Sequence, residues 1–401
     1  METDQQRGHG RRRRFLVALA SCVACLVLSE LALKLLIRDG VLLGVPLPPF
    51  DSLPHPRQAE WLERQRAELG EPTGRSVFDA ELGWTNRTTD SPDSAAPFID
   101  AVGARSVREG ESTDSAEVEL WAFGDSFTFC SEVEDDETWP YFLDHANPEL
   151  SVKNFGVSGY GTDQALLRFR RKKTSGAATI VCIGILTENI GRNVNRYRPL
   201  YYPRTESAVA KPRFVLREDQ LELVPMPYRS RVELLDAVED GSVLDRTREH
   251  EFWYEPDPPA WRISSLSRLY FGWRAYMRRR QSKPLWSDTS GEPYRVTIAL
   301  LETFRTEALA SGAELAPIII FPRKEDFASF VESGSRALET LREELERQEI
   351  DFIDVADALL SKYRESPGSA YVDSHFCAEA NAIIADAVGS YIRSSTIDKD
   401  R

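Results

Sequence analysis

Ser126 is the side chain in this sequence best placed to act as a nucleophile. It follows residues 118–123, a short apolar run typical of a buried strand, and stands in Gly124-Asp125-Ser126-Phe127. A serine on a glycine-preceded turn between strand and helix exposes its hydroxyl, and the N–H groups of the helix start can bind a developing oxyanion. Helix capping by Asp125 and Ser126 explains the same residues, because short motifs are weak signals.

The general base that such a serine needs is found in Asp373-Ser374-His375, shortly before the last predicted helix. Of the five histidines, only His375 has a carboxylate two residues away at a predicted helix entrance. A carboxylate beside an imidazole fixes its tautomer and stabilises the imidazolium, as a base for a serine hydroxyl requires. The alternative is an Asp that caps the helix beside a surface histidine.

Two further loops could complete an oxyanion site. The first runs over residues 154–162 and contains three glycines, of which Gly159 would let a backbone N–H approach a substrate closely. The second contains Asn189, whose amide can donate to an oxyanion or satisfy a loop carbonyl. Taken alone, each loop is explained equally well as a simple turn.

The elements that must position these residues are short apolar strands that alternate with helices. The predicted strands are 118–123, 151–155, 179–185, 315–321 and 351–355. The predicted helices are 138–145, 163–171, 295–311, 335–348 and 378–392. This alternation predicts an α/β fold, an open sandwich with a parallel sheet covered on both faces, and ligands bind at the carboxyl ends of such strands.

In this order the four features resemble the SGNH/GDSL hydrolase superfamily, whose blocks are a Gly-Asp-Ser, a glycine, an asparagine and a C-terminal Asp/His pair. The resemblance implies a flavodoxin-like three-layer α/β/α sandwich with a five-stranded parallel sheet. It implies that Ser126 is the nucleophile, His375 the base and Asp373 its orienting partner. The N–H groups of Ser126 and Gly159 and the side chain of Asn189 would form the oxyanion hole.

Three departures from the family pattern bear on the reaction. Phe127 stands where the family has Leu, Ile190 follows Asn189 where Asp is usual, and Asp373 is two residues before His375 instead of three. The shorter spacing is similar to that of membrane-associated polysaccharide O-acetyltransferase relatives. We therefore expect a serine esterase, with O-acetyl transfer to a polysaccharide as an alternative, and a non-catalytic glycan-binding envelope protein as a hypothesis of another class.

The family blocks are interrupted by an insertion at residues 190–293, within a hydrolase-like domain expected at 116–395. The insertion starts directly after Asn189, so it should overhang the site. Its first residues include Arg192, Asn193, Arg196 and Tyr197, types that suit a polar substrate such as a sugar. A solvated loop is the alternative. A hairpin is expected at 213–216 and 221–224, and a basic helical stretch at 264–280.

The N-terminus predicts a membrane anchor. Residues 1–14 form a basic tail, residues 15–37 are apolar enough to cross a bilayer, and the Pro-rich residues 38–115 are expected to be a stalk. Positive charge before the span predicts that the body is exported, to the periplasm or the extracellular side. The residues Arg12-Arg13-Arg14-Phe15-Leu16 also resemble a twin-arginine signal, and 19–22 resemble a lipoprotein cleavage box.

The charge distribution limits the class of partner. The chain has 401 residues and a net charge of −14, and residues 41–401 carry 43 Lys+Arg against 60 Asp+Glu, a net −17. A body this acidic argues against nucleic-acid binding and leaves an acyl ester, a glycan and the membrane as the expected partners. Neither a metal nor another cofactor is expected, because Asp373, His375 and Cys377 have no fourth ligand nearby in the sequence. A disulfide between Cys130 and Cys377 is left open.

Overall fold

The computed structural model describes residues 2–37, 41–42, 45–46, 56–70, 74–89, 97–105, 117–202, 205, 207–254, 264–280 and 282–397. The strands are β1 (Ser76–Asp79), β2 (Gly83–Asn86), β3 (Val118–Phe123), β4 (Leu150–Asn154), β5 (Ile180–Ile185), β6 (Arg213–Arg217), β7 (Gln220–Val224), β8 (Ile318–Ile320) and β9 (Phe352–Asp354). A two-residue ladder also pairs Val41–Leu42 with Val45–Pro46.

The helices before the insertion are α1 (Glu2–Leu36), α2 (Pro56–Ala67), α3 (Ser126–Phe129), α4 (Trp139–Ala146) and α5 (Thr162–Lys172). Those of the insertion are α6 (Asn189–Arg192), α7 (Arg198–Tyr201), α8 (Arg231–Glu239), α9 (Val243–Thr247), α10 (Ser265–Arg280) and α11 (Ser282–Ser287). The remaining helices are α12 (Glu292–Ala310), α13 (Lys324–Ser333), α14 (Glu339–Arg347), α15 (Val355–Tyr363) and α16 (Ala378–Ile397).

Five parallel strands form the central sheet in the order β9-β8-β5-β3-β4. This is the flavodoxin-like order, so the predicted fold class is confirmed. Side chains of a strand alternate between the faces, and in β3 Leu120 and Ala122 enter one core while Trp121 and Phe123 enter the other. Helices α5, α12 and α14 cover one face and α4, α13, α15 and α16 the other, which makes the three layers.

All five predicted strands are present, although β8 is shorter than expected. The five predicted helices are also found, as α4, α5, α12, α14 and α16. The sequence analysis did not predict α13 and α15. Asp354 is both the last residue of β9 and the N-cap of α15, accepting a hydrogen bond from the N–H of Ala356 at 3.0 Å. No turn residue therefore separates this strand from its helix.

The expected stalk at 38–115 is partly wrong, because some of these residues pack on the body. The hairpin of β1 and β2 is tied to the loop after β4: the Tyr160 hydroxyl donates to Trp84 O at 2.6 Å, and Asn86 Nδ2 donates to Gly156 O at 2.9 Å. Arg105 is buried and donates to Phe129 O at 2.8 Å. Residues 38–40, 43–44, 47–55, 71–73, 90–96 and 106–115 of this range lie outside the described residues.

The insertion has an apolar core of its own. Tyr197, Tyr228, Leu235 and Trp253 are buried together there with Trp61 of α2. The predicted hairpin is confirmed as β6 and β7, which pair in antiparallel register from Arg213–Val224 to Arg217–Gln220. The insertion is thus a folded subdomain rather than a solvated loop.

The N-terminal helix α1 includes one apolar stretch, from Arg14 to Leu36, that is long enough to cross a membrane. Its 23 residues would extend about 34 Å, against about 30 Å for a bilayer core. This agrees with the predicted span at 15–37.

Candidate active site

The nucleophile candidate Ser126 lies at the carboxyl end of β3. This is the point in the sheet where the strand order reverses, with β4 on one side of β3 and β5 on the other. Gly124 has φ +152°, and a Cβ on this residue would lie 2.2 Å from Thr128 Oγ1, so the turn requires glycine. Asp125 caps α3 by accepting a hydrogen bond from the N–H of Phe127 at 2.9 Å. Because Ser126 is the first residue of α3, its N–H has no acceptor within the helix and can face a substrate.

The glycine loop after β4 packs directly against the nucleophile helix. A Cβ on Gly156 would lie 2.4 Å from Phe129 N. Ser158 Oγ is 2.9 Å from Ser131 Oγ, and the N–H of Ser131 donates to Ser126 O at 3.0 Å. Gly159 has φ +82°, a conformation that favours glycine. The structure therefore brings the loop that contains Gly159 to the nucleophile turn, as the sequence predicted.

The side chain of Asn189 also lies beside the nucleophile turn, but both the NH₂ group and the oxygen of its amide already form hydrogen bonds. Its Nδ2 donates to Asp125 Oδ2 and to Tyr160 O, both at 3.1 Å, and its Oδ1 accepts from the N–H of Leu186 at 2.7 Å. The two N–H donors of its amide are thus occupied. In this arrangement Asn189 joins the nucleophile turn to the glycine loop and offers no donor to an oxyanion.

A charged cluster supports the nucleophile turn from the insertion side. Arg192 Nη1 donates to Asp125 Oδ2 at 3.1 Å and to Tyr160 O at 3.2 Å, and Nη2 pairs with Glu188. Burial acts to lower the pKa of Arg192, but the carboxylates of Glu188 and Asp125 raise the pKa above its ordinary value. The cluster keeps Asp125 in place beneath Ser126.

His375 is oriented by a carboxylate that the sequence analysis missed, that of Glu132. His375 Nδ1 is 2.7 Å from Glu132 Oε1, and the imidazole ring lies 4.9 Å from the ring of Phe127, the neighbour of Ser126. Between the described residues Ser126 and His375 there is no hydrogen bond. Catalytic hydrogen bonds often tighten only when a substrate binds.

The other carboxylate oxygen of Glu132 binds the backbone of residues 373–375, the histidine loop. Oε2 accepts the N–H groups of Asp373, Ser374 and His375 at 3.0, 3.0 and 3.1 Å. Glu132 has φ +75°, a left-handed conformation that is costly for a non-glycine residue. Partial burial acts to raise the pKa of Glu132, but hydrogen bonds from Ser374, His375 and the backbone lower it to about 2. Glu132 is therefore ionised and sits in a rigid set of contacts.

The prediction that Asp373 orients His375 is not supported by the structure. Asp373 is exposed, and its carboxyl forms no hydrogen bond with any residue the structure describes. The turn wraps its N–H groups around Glu132, so the short spacing does not place this carboxyl against the imidazole. No sequence pattern indicates Glu132, because its contact with His375 spans 243 residues.

The four residues proposed to bind substrate at the start of the insertion have structural partners instead. The contacts of Arg192 are those described above. Asn193 Oδ1 accepts the N–H of Thr162 at 2.7 Å. Arg196 donates to the carbonyls of Arg246, Glu249 and Pro225, and Tyr197 is buried. These side chains fix the folded insertion to the body, and none of the four is among the described residues that line the cavity beside Gly159.

A cavity of about 290 Å³ is lined in part by Ser158 and Gly159 of the glycine loop. Its wall includes the aromatic residues Trp61, Phe78 and Trp84 and the guanidinium of Arg198. Its lining comes from α2, the β1–β2 hairpin, the glycine loop and the insertion, four segments far apart in the sequence. The insertion therefore borders the cavity through residues that include Arg198 and Arg231, while Arg192, of the residues expected, contacts the nucleophile turn through Asp125.

The cysteines are free thiols in the structure. Cys130 and Cys182 are buried, and burial raises the pKa of each to about 12, so neither is a reactive thiolate. Cys377 is half-buried and lies 3.6 Å from the Tyr363 hydroxyl. The disulfide left open between Cys130 and Cys377 is not present.

Several solved structures are similar to this chain, and two of them serve as examples. One is a member of the lipolytic G-D-S-L family from Veillonella parvula, with 10% identity over 67% of this chain and 94% of that chain and a TM-score of 0.31. The other is a catalytic mutant of an acetylxylan esterase from Geobacillus stearothermophilus, with 12% identity over 69% and 94% and a TM-score of 0.34. No protein-family model and no curated protein matches the chain. A likeness this distant concerns the fold, so function must be argued from the site.

Proposed function

We propose that the chain is a membrane-anchored serine esterase of the SGNH/GDSL superfamily that acts on ester-linked acyl groups. The observation that carries the proposal is the contact of Glu132 with His375 Nδ1, beside the turn that presents Ser126. An ionised carboxylate on Nδ1 keeps the proton on that nitrogen, which leaves Nε2 free to accept the proton of a serine hydroxyl.

In the first step Ser126 Oγ attacks the ester carbonyl carbon and its proton passes to His375 Nε2. The oxyanion would be bound by the N–H groups of Ser126 and Gly159, with Asn189 and Arg192 holding the loops that present them. The carbon–oxygen bond of the ester then breaks, and the leaving alcohol takes the proton from His375. Water, activated by the same imidazole, cleaves the acyl-serine and releases the carboxylic acid.

Transfer of the acyl group to a sugar hydroxyl would use the same acyl-serine, so the product decides between the two reactions. The test incubates the full chain with a small acetyl ester, with and without a candidate polysaccharide, and measures free acetate and acetylated sugar. Acetate alone indicates hydrolysis, and acetylated sugar indicates transfer. A membrane-anchored enzyme with an exported body would meet cell-envelope glycans, which is the setting that we propose.

A binding protein without turnover is the second candidate. It is favoured by the missing hydrogen bond between Ser126 and His375 and by the two occupied donors of Asn189. A fluorophosphonate probe separates the candidates, since it labels only an activated serine. We expect labelling of the full chain and none in Ser126→Ala or His375→Ala. A folded chain that resists the probe and turns over no acetyl ester would contradict the esterase proposal.

A further inference from the structure

The cavity beside Gly159 contains a cation, the guanidinium of Arg198, that is paired with none of the residues the structure describes. A Cβ on Gly159 would lie 2.8 Å from Arg198 Nη1 and 3.6 Å from the indole of Trp84, so this glycine sits between the two side chains. Trp84 is itself fixed, since its Nε1 donates to Ser158 O at 3.1 Å. The guanidinium of Arg198 is therefore adjacent to the N–H that we assign to the oxyanion hole.

Arg198 differs from the other arginines around the site. Arg192 pairs with Glu188, and Arg231 donates to Gln65 Oε1 at 2.8 Å and contacts Glu68. The guanidinium of Arg198 forms no hydrogen bond or ion pair with any described residue, although its backbone N–H donates to Val209 O at 3.0 Å. Burial lowers the pKa of Arg198 to about 10, so it is still charged at neutral pH. A charged group that has no described partner and is partly desolvated costs free energy unless an anion binds to it.

The described part of the lining offers no acidic side chain to supply that anion. None of the described residues that line the cavity is Asp or Glu, although the chain contains 64 acidic residues. What the lining does offer is aromatic surface, from Trp61, Phe78 and Trp84. A planar guanidinium fits a carboxylate in two parallel hydrogen bonds, and indole rings pack on sugar faces.

We propose that this cavity binds the carboxylate of an acidic sugar whose ester is presented to Ser126. The inference rests on the proposed function, because it names the class of substrate for the same site. Arg198 would bind the carboxylate, and the aromatic wall would pack on the sugar ring.

Binding to the full-length Ser126→Ala variant tests the cavity without turnover. Calorimetry would compare methyl glucuronide with its neutral counterpart, methyl glucoside. We expect the acid to bind about 10- to 100-fold more tightly, as for one charge-assisted contact. Arg198→Gln should remove the difference and Arg198→Lys should retain part of it. Arg217→Gln, which removes a positive charge at an exposed hairpin position, is the matched control.

Equal binding of the two sugars, or a preference that survives Arg198→Gln, would overturn the proposal. Charge-selective binding in a chain that never turns over an acetyl ester would support the cavity and reject the esterase. Turnover of acetyl esters without charge selectivity would reject the cavity and leave the esterase standing.

A different observation concerns the basic helix α10, which begins against the apolar stretch of α1. Glu30 of α1 accepts the N–H groups of Ser265 and Leu266 at 2.7 and 3.0 Å and the Ser264 hydroxyl at 3.1 Å. It thereby caps α10 from another helix. Glu30 is six residues before the end of α1 at Leu36, a distance of about 9 Å along the helix axis.

The composition of α10 is that of a helix at a membrane surface. Leu266, Tyr270, Trp273 and Met277 follow helical spacing along one stripe, and Tyr270 and Trp273 are 55% and 58% exposed. Arg274 beside them is exposed. Interfacial helices are buried by about 5–10 Å, which agrees with the depth of Glu30 if α1 spans the bilayer. Adjacent exposed aromatics on one helix face are typical of an interaction surface, and here the neighbouring element is the apolar stretch of α1.

We infer that α10 lies in the headgroup region of the bilayer beside α1, with its Tyr270–Trp273 stripe in lipid. This inference rests on the proposed membrane anchor. The consequence is that the insertion, which contains α10, is held at the membrane surface.

The test uses the full chain with Cys22, Cys25 and Cys377 replaced by Ser, reconstituted into phosphatidylcholine–phosphatidylglycerol nanodiscs. A polarity-sensitive NBD label is attached to the cysteine introduced by Trp273→Cys. Val232→Cys, 45% exposed on α8, is the matched control. Spin-labelled lipid should quench the label at 273 and not at 232, and aqueous iodide should do the reverse. Iodide quenching of both labels with no lipid quenching would overturn the inference, and so would release of the chain from membranes by alkaline carbonate.

Discussion

Replacement of Glu132 by glutamine tests the central contact of the proposed site. In the wild type, Oε2 accepts three backbone N–H groups while Oε1 faces His375 Nδ1. A glutamine can keep its single oxygen toward the three N–H donors only by turning its NH₂ group to the imidazole. That group donates, so Nδ1 must become the acceptor and the ring proton moves to Nε2, where it blocks acceptance of the serine proton.

We expect Glu132→Gln to lower kcat for p-nitrophenyl acetate by about 10²- to 10⁴-fold, the range for loss of a correctly held base. Asp373→Asn is the matched control, because the Asp373 carboxyl is exposed and forms no hydrogen bond to a described residue, and we expect its kcat to change by less than about twofold. Thermal unfolding shows whether each variant is folded. A fall in kcat with Asp373→Asn, together with an active and folded Glu132→Gln, would refute the assignment.

Three other expectations follow from the geometry. The pKa of Glu132 is lowered to about 2, so its carboxylate stabilises the fold at pH values above the ordinary pKa of Glu, and this stability is lost as the pH falls toward 2. Urea unfolding across acid pH should show a loss of about 1–2 kcal/mol in the free energy of unfolding, a figure already reduced for solvent screening. The Glu132→Gln variant should not show this loss. Gly156→Ala places a Cβ against Phe129 N and should cost about 1–3 kcal/mol in urea unfolding, and an unchanged midpoint would contradict the close packing of this loop. Alkylation of native protein followed by peptide mass spectrometry should modify Cys377 and spare Cys130, whereas a disulfide between the two would contradict the structure.

The sequence predicted the fold and part of the site for local reasons. Ser126 follows a strand whose apolar pattern is clear, and the alternation of strands and helices predicts a parallel sheet, whereas the flavodoxin-like architecture was expected from the family resemblance. Glu132 escaped prediction because its role depends on a contact across 243 residues and on a left-handed backbone that its residue type does not signal. Asn193 and Arg196 stay predictions as substrate-binding residues, and their contacts with Thr162 and Pro225 in the folded protein are long-range ones that no local pattern indicates.

The contact of Glu132 also changes what the spacing of Asp373 and His375 means. That spacing of two residues set the chain apart from hydrolases of the family and pointed toward acyl transfer. The comparison holds only if both residues belong to the catalytic set. If Glu132 supplies the carboxylate, the turn at residues 373–375 is shaped by three N–H groups that converge on Oε2, and its length follows from that geometry. The choice between water and a sugar hydroxyl then depends on what reaches the acyl-serine past the cavity beside Gly159, where Arg198 and the aromatic wall would hold the ester-bearing sugar, and not on the histidine loop.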